Sequence, residues 1–288
     1  MTALRRAIDS AAAVFAAAGI DAARRDAEEL AAHAAGTDRS RLALLDNLPD
    51  DGFLARYGEL VTARSERVPL QHLLGTAAFG PAILRVGPGV FIPRPETEAM
   101  LEWATGQHLR DDAVIVDACT GSGALALTLA MHRPRARVIG IDDSPEALCY
   151  ARINCAGTAV ELLQADVTAA GLLAELDGQV DLLVTNPPYI PAGVELDPEV
   201  AEHDPAHALF GGDDGMVVIH PLAALAARLL RPGGLFAVEH DDTTSAATVE
   251  SITATGCFGA VTARSDLTGR PRFVTAVRND QPRSSADE

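Results

Sequence analysis

The sequence contains no lysine. All 23 of its Lys-plus-Arg positions are arginines, against 40 acidic residues, for a formal net charge of -17. The arginine bias accompanies an abundance of alanine and is compositional, so it carries no mechanism. The acidity does: a chain this negative repels the phosphate backbone, which makes duplex DNA and bare RNA poor partners and a basic protein a better one. Cysteine is scarce, at four residues (Cys119, Cys149, Cys155 and Cys257). None forms a C-x-x-C pair and no Cys/His cluster has zinc spacing, so no metal site is expected. At least three of them read as small buried hydrophobes of a reduced cytosol. Residues 1–10 lack the apolar stretch of a signal peptide, and no uncharged run approaches the ~20 residues of a membrane span. A cytoplasmic protein, acting as a monomer, is the expectation.

What is present is an ordinary globular composition, 48% hydrophobic and 22% charged over 288 residues, enough for one large domain and a smaller one. Residues 2 to about 68 carry helical spacing: Leu4, Ile8, Ala11, Ala12 and Phe15 share a face, and Gly19 supplies a stop. Asp21 is placed to cap a second helix that turns Ala27, Leu30 and Ala31 inward. Leu54, Tyr57, Leu60 and Val61 repeat the pattern. This block is a small helical bundle or a substrate-docking module, and the residues favour neither. Residues 73–79 and 83–91 read as short strands around Gly80-Pro81, a hairpin signal. Ile92-Pro93-Arg94-Pro95-Glu96-Thr97-Glu98 then leads into a helix over 96–108.

From Ala113 the period changes. Strands over 114–116, 137–141, 160–163, 180–184 and 235–239 alternate with helices over 123–131, 145–154 and 215–230, the pattern of a parallel, doubly wound sheet. The last two strands, 258–263 and 272–277, are separated by Gly269 and read as an antiparallel pair. The polar stretch 279–288 reads as a frayed tail.

The most informative residues are Asn186-Pro187-Pro188-Tyr189, directly after a buried strand. Neither proline can donate a backbone hydrogen bond, and each restricts the residue before it. The result is a stiff turn at the carboxyl end of a strand, where open α/β sheets bind ligands. It holds a side-chain amide, two carbonyls and an aromatic face in one arrangement, suited to a planar NH2-bearing group. Upstream, Asp117-Ala118-Cys119-Thr120-Gly121-Ser122-Gly123 lies between a strand and a helix. Ala124-Leu125 stand where a phosphate loop would place lysine and a hydroxyl, and the G-x-G-x-x-G spacing of a dinucleotide fold is absent. A tight, uncharged loop beginning with Asp117 suits a ligand with an amine and no pyrophosphate. Asp142, 19 residues beyond Gly123, is placed to accept from both ribose hydroxyls. Asp166, with Val167 after it, follows the third strand and can accept from an adenine amino group. Alone, each aspartate is a solvated turn residue; in order at successive strand ends they describe a ligand with adenine, ribose, a cationic amino-acid end and no phosphate. S-adenosylmethionine fits.

With these residues in hand, the chain resembles the class-I S-adenosylmethionine-dependent methyltransferases. Within them it is similar to the bacterial protein-glutamine N-methyltransferases that modify peptide-chain release factors. The resemblance spans nearly the whole chain. It includes the helical amino-terminal segment, residues 69–75 (PLQHLLG), Pro93 to Glu98, the glycine loop and Asn186 to Tyr189. Residues 208–215 (ALFGGDDG), 230–234 (LRPGG) and 266–270 (DLTGR) complete it. It implies an α/β fold with a Rossmann-like, seven-stranded, mostly parallel sheet. The implied domains are a helical substrate-docking domain over 1–70, a β-hairpin linker over 71–95 and a methyltransferase domain over 96–278. The implied reaction is N5-methylation of the glutamine in the Gly-Gly-Gln motif of a release factor. By the same resemblance the Asn186 side chain and the Pro187 carbonyl hold the amide and Tyr189 packs on it, with Pro188 completing the turn. Arg94, Thr97 and Glu98 wall the cofactor site opposite Asp117, Cys119, Thr120, Gly121, Ser122, Gly123, Asp142, Asp166, Val167 and Asn186.

The chain departs from the family pattern at Cys119, a position usually glycine, and at Val167, where an aromatic often covers adenine. It departs again at Glu239-His240-Asp241, which replaces a Glu-Ile-Gly type of sequence, and at Asp204, where the family tends to glutamate. These features mark a divergent branch. His203 and His207 read as surface residues. Three other readings keep the same turn: glutamine methylation of a ribosomal protein, adenine-N6 methylation of nucleic acid, and a cofactor-binding partner protein without catalysis. The adenine reading needs a basic cleft and a flipped base, which a charge of -17 opposes.

Overall fold

The computed structural model describes residues 2–45, 47–266 and 268–280. The chain forms two compact units. The first comprises Met1–Ala77, Val86–Pro88 and Leu196–His203; the second comprises Ala78–Arg85, Gly89–Glu195 and Asp204–Glu288. Residues 281–288, most of the expected tail, lie outside the described residues.

The first unit is helical: α1 (Ala3–Ala17), α2 (Ala23–Ala34), a 3-10 turn (Arg39–Leu44), α3 (Phe53–Ser65) and α4 (Leu70–Leu74). Thr2 caps α1 by accepting the Arg5 N–H at 3.2 Å. Leu4, Ile8, Ala11 and Phe15 then pack inward, together with Ala27, Leu30 and Ala31 of α2. Two expectations are corrected. Asp21 does not cap α2, whose N-cap position is Ala22 and has no side-chain bond. In α3 the inward stripe runs through Phe53 and Tyr57, stacked at 5.4 Å, while Leu54 is exposed. Tyr57 is tied to the neighbouring helix by donating to the Ala27 carbonyl at 2.9 Å. Arg64 is buried; its Nε donates to Asp26 at 2.9 Å and its Nη2 meets Glu199 at 3.0 Å. Glu199 belongs to α8 (Pro198–His203), a short helix without apolar periodicity that the sequence reading missed.

Leu73 and Leu74, expected to open a strand, instead end α4, which Gly75 closes in the left-handed region. The hairpin therefore starts later, as β1 (Thr76–Phe79) and β2 (Ala82–Arg85). Pro95–Thr97 form a 3-10 turn, and α5 runs over Glu98–Thr105.

The second unit holds a seven-stranded sheet in the order β5-β4-β3-β6-β7-β9-β8. Its strands are β3 (Val114–Ala118), β4 (Arg137–Asp142), β5 (Glu161–Gln164), β6 (Val180–Thr185), β7 (Leu230–Glu239), β8 (Phe258–Ser265) and β9 (Pro271–Arg278). All pairings from β5 through β7 are parallel; β9 runs antiparallel to both β7 and β8. Helices α6 (Ala124–His132), α7 (Pro145–Asn154), α9 (Ala206–Leu209), α10 (Ile219–Leu229) and α11 (Ser245–Ala254) complete the unit. Helix α10 begins four residues later than expected, because the glycine-rich stretch before it is a loop, and α11 was not foreseen. Ser144 caps α7 by accepting the Ala147 N–H at 3.1 Å, with Pro145 at the first helical position.

Strand β6 is buried at all six positions. One of them is Asp181, which accepts from the Val114 N–H at 2.9 Å, Arg110 at 2.8 Å and Arg231 at 2.6 Å. Burial pushes this carboxyl up, but the bonds from Arg110, Val114 and Arg231 outweigh it and hold it below the usual range. The ends of β3 and β6 thus share one buried anchor at the edge of the sheet opposite the Asn-Pro-Pro-Tyr turn. Among the described residues no helix is long and apolar enough to cross a membrane.

Candidate active site

The parallel register brings the candidate carboxylates to one edge. Asp117 pairs with Val184, Ala118 with both Ile141 and Thr185, and Asp142 with Gln164. Four consecutive strand ends, those of β3, β4, β5 and β6, therefore deliver Asp117, Asp142, Asp166 and Asn186 to the same side of the sheet.

Asp117 is buried, and its Oδ2 accepts from the Thr120 hydroxyl at 2.5 Å and the Ala126 N–H at 3.0 Å. Its Oδ1 is buried without a donor. Burial pushes the carboxyl up to about 7; the Thr120 and Ala126 bonds pull the other way, and nearby Asp142 adds to the rise. Asp142 accepts the Gly121 N–H at 2.7 Å on one oxygen and the Ser144 N–H at 3.0 Å on the other. Burial raises it against those two bonds. Each oxygen keeps a lone pair, the pattern a vicinal diol requires. Asp166 is exposed and its Oδ1 accepts both the N–H and the hydroxyl of Thr168 at 2.7 Å, which hold it below its ordinary range.

Cys119 sits at φ 57°, in the left-handed region that glycine enters without a Cβ clash. The loop tolerates cysteine by holding it half-buried against the core, where burial and then Asp142 push its thiol up. It is therefore a packing residue, not a nucleophile.

The turn itself is braced from behind. A Cβ on Gly211 would lie 2.6 Å from the Pro188 carbonyl oxygen, and one on Gly215 (φ 77°) 2.3 Å from that of Tyr189. The segment after the turn pairs with the same loop, the Ile190 N–H donating to the Leu209 carbonyl at 2.8 Å and the Gly211 N–H to that of Ile190 at 2.9 Å. Asn186 donates its Nδ2 to the Thr97 hydroxyl at 3.2 Å. Tyr189 turns its hydroxyl inward, to Glu239 Oε1 at 2.8 Å.

One cavity of the second unit collects most of the expected residues. The glycine loop contributes Asp117, Cys119, Thr120, Gly121 and Ser122; Asp142, Asp166 and Val167 line it from the neighbouring strand ends; Thr97, Asn186 and Pro188 close it. Gly123 instead is the N-cap residue of α6 at φ 82°, and the Pro187 ring is buried within the turn. Arg94 pairs with buried Asp204 and lies over the Phe91 ring at 5.1 Å, while Glu98 accepts the Gly80 N–H at 3.2 Å. Both are thus engaged outside the cavity lining. Phe91, Asp143 and His207 line it without having been singled out. Only the placement of the loops reveals them: Phe91, expected at the end of a strand over 83–91, lies in the loop after β2 (Ala82–Arg85). His203 is half-buried, edge-on to the His72 ring at 6.4 Å, which corrects its reading as a surface residue. His207 is exposed, but at the cavity.

Two family models match the chain, PrmC N-terminal domain over residues 6–75 and Methyltransferase small domain over residues 97–209. A release factor glutamine methyltransferase of Mycolicibacterium smegmatis is 69% identical, covering 96% of this chain and 99% of its own. One from Mycobacterium tuberculosis is 66% identical over 96% and 91%. The chain belongs to the release factor glutamine methyltransferase family. That makes it a class-I methyltransferase with S-adenosylmethionine as its methyl donor, in agreement with the strand-end carboxylates. At 40% identity, over 96% of this chain and 95% of the other, stands a 4-amino-L-phenylalanine/4-methylamino-L-phenylalanine methyltransferase of Streptomyces pristinaespiralis.

Proposed function

We propose that this enzyme methylates the side-chain amide nitrogen of the glutamine in the Gly-Gly-Gln loop of peptide-chain release factors, acting in the cytoplasm. The observation that carries the reading is the oriented amide of Asn186. Its Nδ2 is committed to Thr97, which leaves Oδ1 as the acceptor on a turn that two prolines and two close-packed glycines hold rigid.

The cavity's residues fit the methyl donor. The buried, donorless Oδ1 of Asp117 suits an ammonium group, and the free lone pairs of Asp142 suit a ribose diol. Asp166 keeps its Oδ2 for an exocyclic amine. Bound S-adenosylmethionine supplies a methyl group on a sulfonium, an electrophile. An amide nitrogen is a weak nucleophile because its lone pair is delocalised into the carbonyl, so the protein's contribution is orientation. Asn186 Oδ1 and the Pro187 carbonyl accept the two N–H bonds and direct the nitrogen lone pair to the methyl. The same acceptors favour the positive charge that develops on nitrogen as the N–C bond forms. The proton becomes acidic only after that bond forms and leaves to water, so no strong base is needed at the turn.

Labelled methyl is expected to pass from S-adenosylmethionine to the release-factor glutamine. Asn186→Ala should abolish transfer while S-adenosylmethionine affinity, by calorimetry, changes little. Three other substrates complete the assay: an aromatic amine, a ribosomal protein and DNA. Methyl appearing on one of those and not on release factor would overturn the proposal.

A further inference from the structure

Asn186 presents an acceptor only if its amide is held one way round, and the group holding it, Thr97, has a hydroxyl that can either donate or accept. Something else must set its direction. Thr185 pairs with Val238 across the sheet, so Asn186 and Glu239 leave neighbouring strands side by side. The Glu239 carboxyl is fully buried. Its Oε1 accepts from Tyr189, at the far end of the same turn, while its Oε2 is buried with no bonded donor. Burial pushes the Glu239 carboxyl up to about 7, and the Thr97 hydroxyl, the Tyr189 hydroxyl and the Arg272 guanidinium pull the other way, toward the ionised form. Thr97 is itself buried, and its hydroxyl lies between Asn186 and the carboxyl.

We infer that Glu239 sets the polarity of the active-site turn: as a carboxylate it accepts the Thr97 proton, which obliges Thr97 to accept from Asn186 Nδ2 and so keeps Asn186 Oδ1 facing the substrate nitrogen. The inference rests on the proposed transfer to an amide. Glu239 touches no substrate; it is a positioning residue at both ends of Asn186-Pro187-Pro188-Tyr189. An amide in its place could donate to Thr97. The hydroxyl would then donate to Asn186 Oδ1, and the inverted side chain would present Nδ2 to a substrate that also offers N–H bonds. Two donors facing each other hold nothing in line.

Glu239→Gln keeps the side-chain size and removes the acceptor. It should lower kcat by about 100-fold, the scale of losing one oriented polar contact to the reacting group, with S-adenosylmethionine affinity by calorimetry essentially unchanged. Thr97→Val should reproduce the loss, and Thr97→Ser, which restores the hydroxyl, should recover most of it. The Asn186 side-chain NH2, followed by 15N NMR without any substrate, should be protected from hydrogen exchange in the wild type and lose that protection in Glu239→Gln and Thr97→Val. Wild-type kcat in Thr97→Val, or retained NH2 protection in the variants, would overturn the inference. Should Glu239→Gln not fold, the Thr97 pair decides alone. A wild type that methylates no release factor counts against the proposed function, and the NMR readout still judges the polarity of Asn186.

Discussion

At the scale of single residues the site is built around carboxyls that are not at rest. Asp117 is pushed up to about 7, chiefly by burial. In the free protein it is therefore mostly protonated at pH 6 and mostly ionised at pH 7.5, whereas a cationic amino group prefers the ionised form. Affinity for S-adenosylmethionine should thus rise with pH, by about eightfold between pH 6 and 7.5 from this group alone. Asp142, also raised by burial, adds in the same direction. Without ligand the sign reverses. A carboxyl raised above its unfolded value contributes stability below that value, and the contribution is lost as pH rises through the folded one. Asp117 and Glu239, both raised to about 7, should make the free protein lose stability between about pH 4 and 7. Calorimetric titration across this range checks the affinity, with Asp117→Asn expected to show a shallower dependence that leaves only the Asp142 contribution; thermal unfolding without ligand checks the stability. A pH-independent wild-type affinity would count against an ammonium at Asp117.

At the scale of elements, strand existence and order of function were legible in the sequence because β3, β4 and β6 are buried on both faces and read as short apolar runs followed by an acid or an amide. The antiparallel end of the sheet was legible from Gly269. What was not legible lay where periodicity is weak. The sequence places the end of helix α4, Leu73 and Leu74, in a strand because residues 70–74 make less than two turns, and α8 and α9 are similarly short. In the site, Asp117, Asp142 and Asn186 could be found from spacing, while Phe91 and His207 could not, since loops deliver them. The glycine stretch 211–215 was visible as a motif but not as a support. The structure gives it one: the loop backs the turn so closely that no Cβ fits at Gly215. Gly215→Ala should displace the Tyr189 carbonyl and with it Pro187 and Asn186. The expected result is a loss of methyl transfer approaching that of Asn186→Ala, with S-adenosylmethionine affinity retained because the Asp117 loop is untouched. Full activity of Gly215→Ala would show that the turn is rigid without its brace.

At the scale of the whole molecule, the chain's path matters more than its length. It leaves the second unit after Glu195, only six residues beyond Tyr189, and re-enters it at Asp204. Between those points it is part of the helical unit, where Arg67 grips Asp197 through two bonds of 3.0 and 2.9 Å and Arg64 meets Glu199 at 3.0 Å. Two arginines thus neutralise two carboxylates on the segment downstream of the catalytic turn, in a chain whose net charge is -17. A proposed docking role for the helical unit gives this tether a consequence: a protein bound there bears on a unit that shares a covalent segment with the turn. The Arg67 pair is partly exposed, so its loss should cost only about 1 kcal/mol or less of global stability. Its local effect should be larger, because Asp197 and Glu199 would repel each other and loosen the segment. Arg67→Ala is therefore expected to raise KM for release factor severalfold and to leave S-adenosylmethionine affinity unchanged. Because the wild-type pair is screened by salt, the gap between the two proteins should narrow as ionic strength rises and the Debye length falls to a few ångström near 1 M. Equal KM values for Arg67→Ala and wild type at low salt would mean that the tether has no part in presenting the turn to its protein substrate.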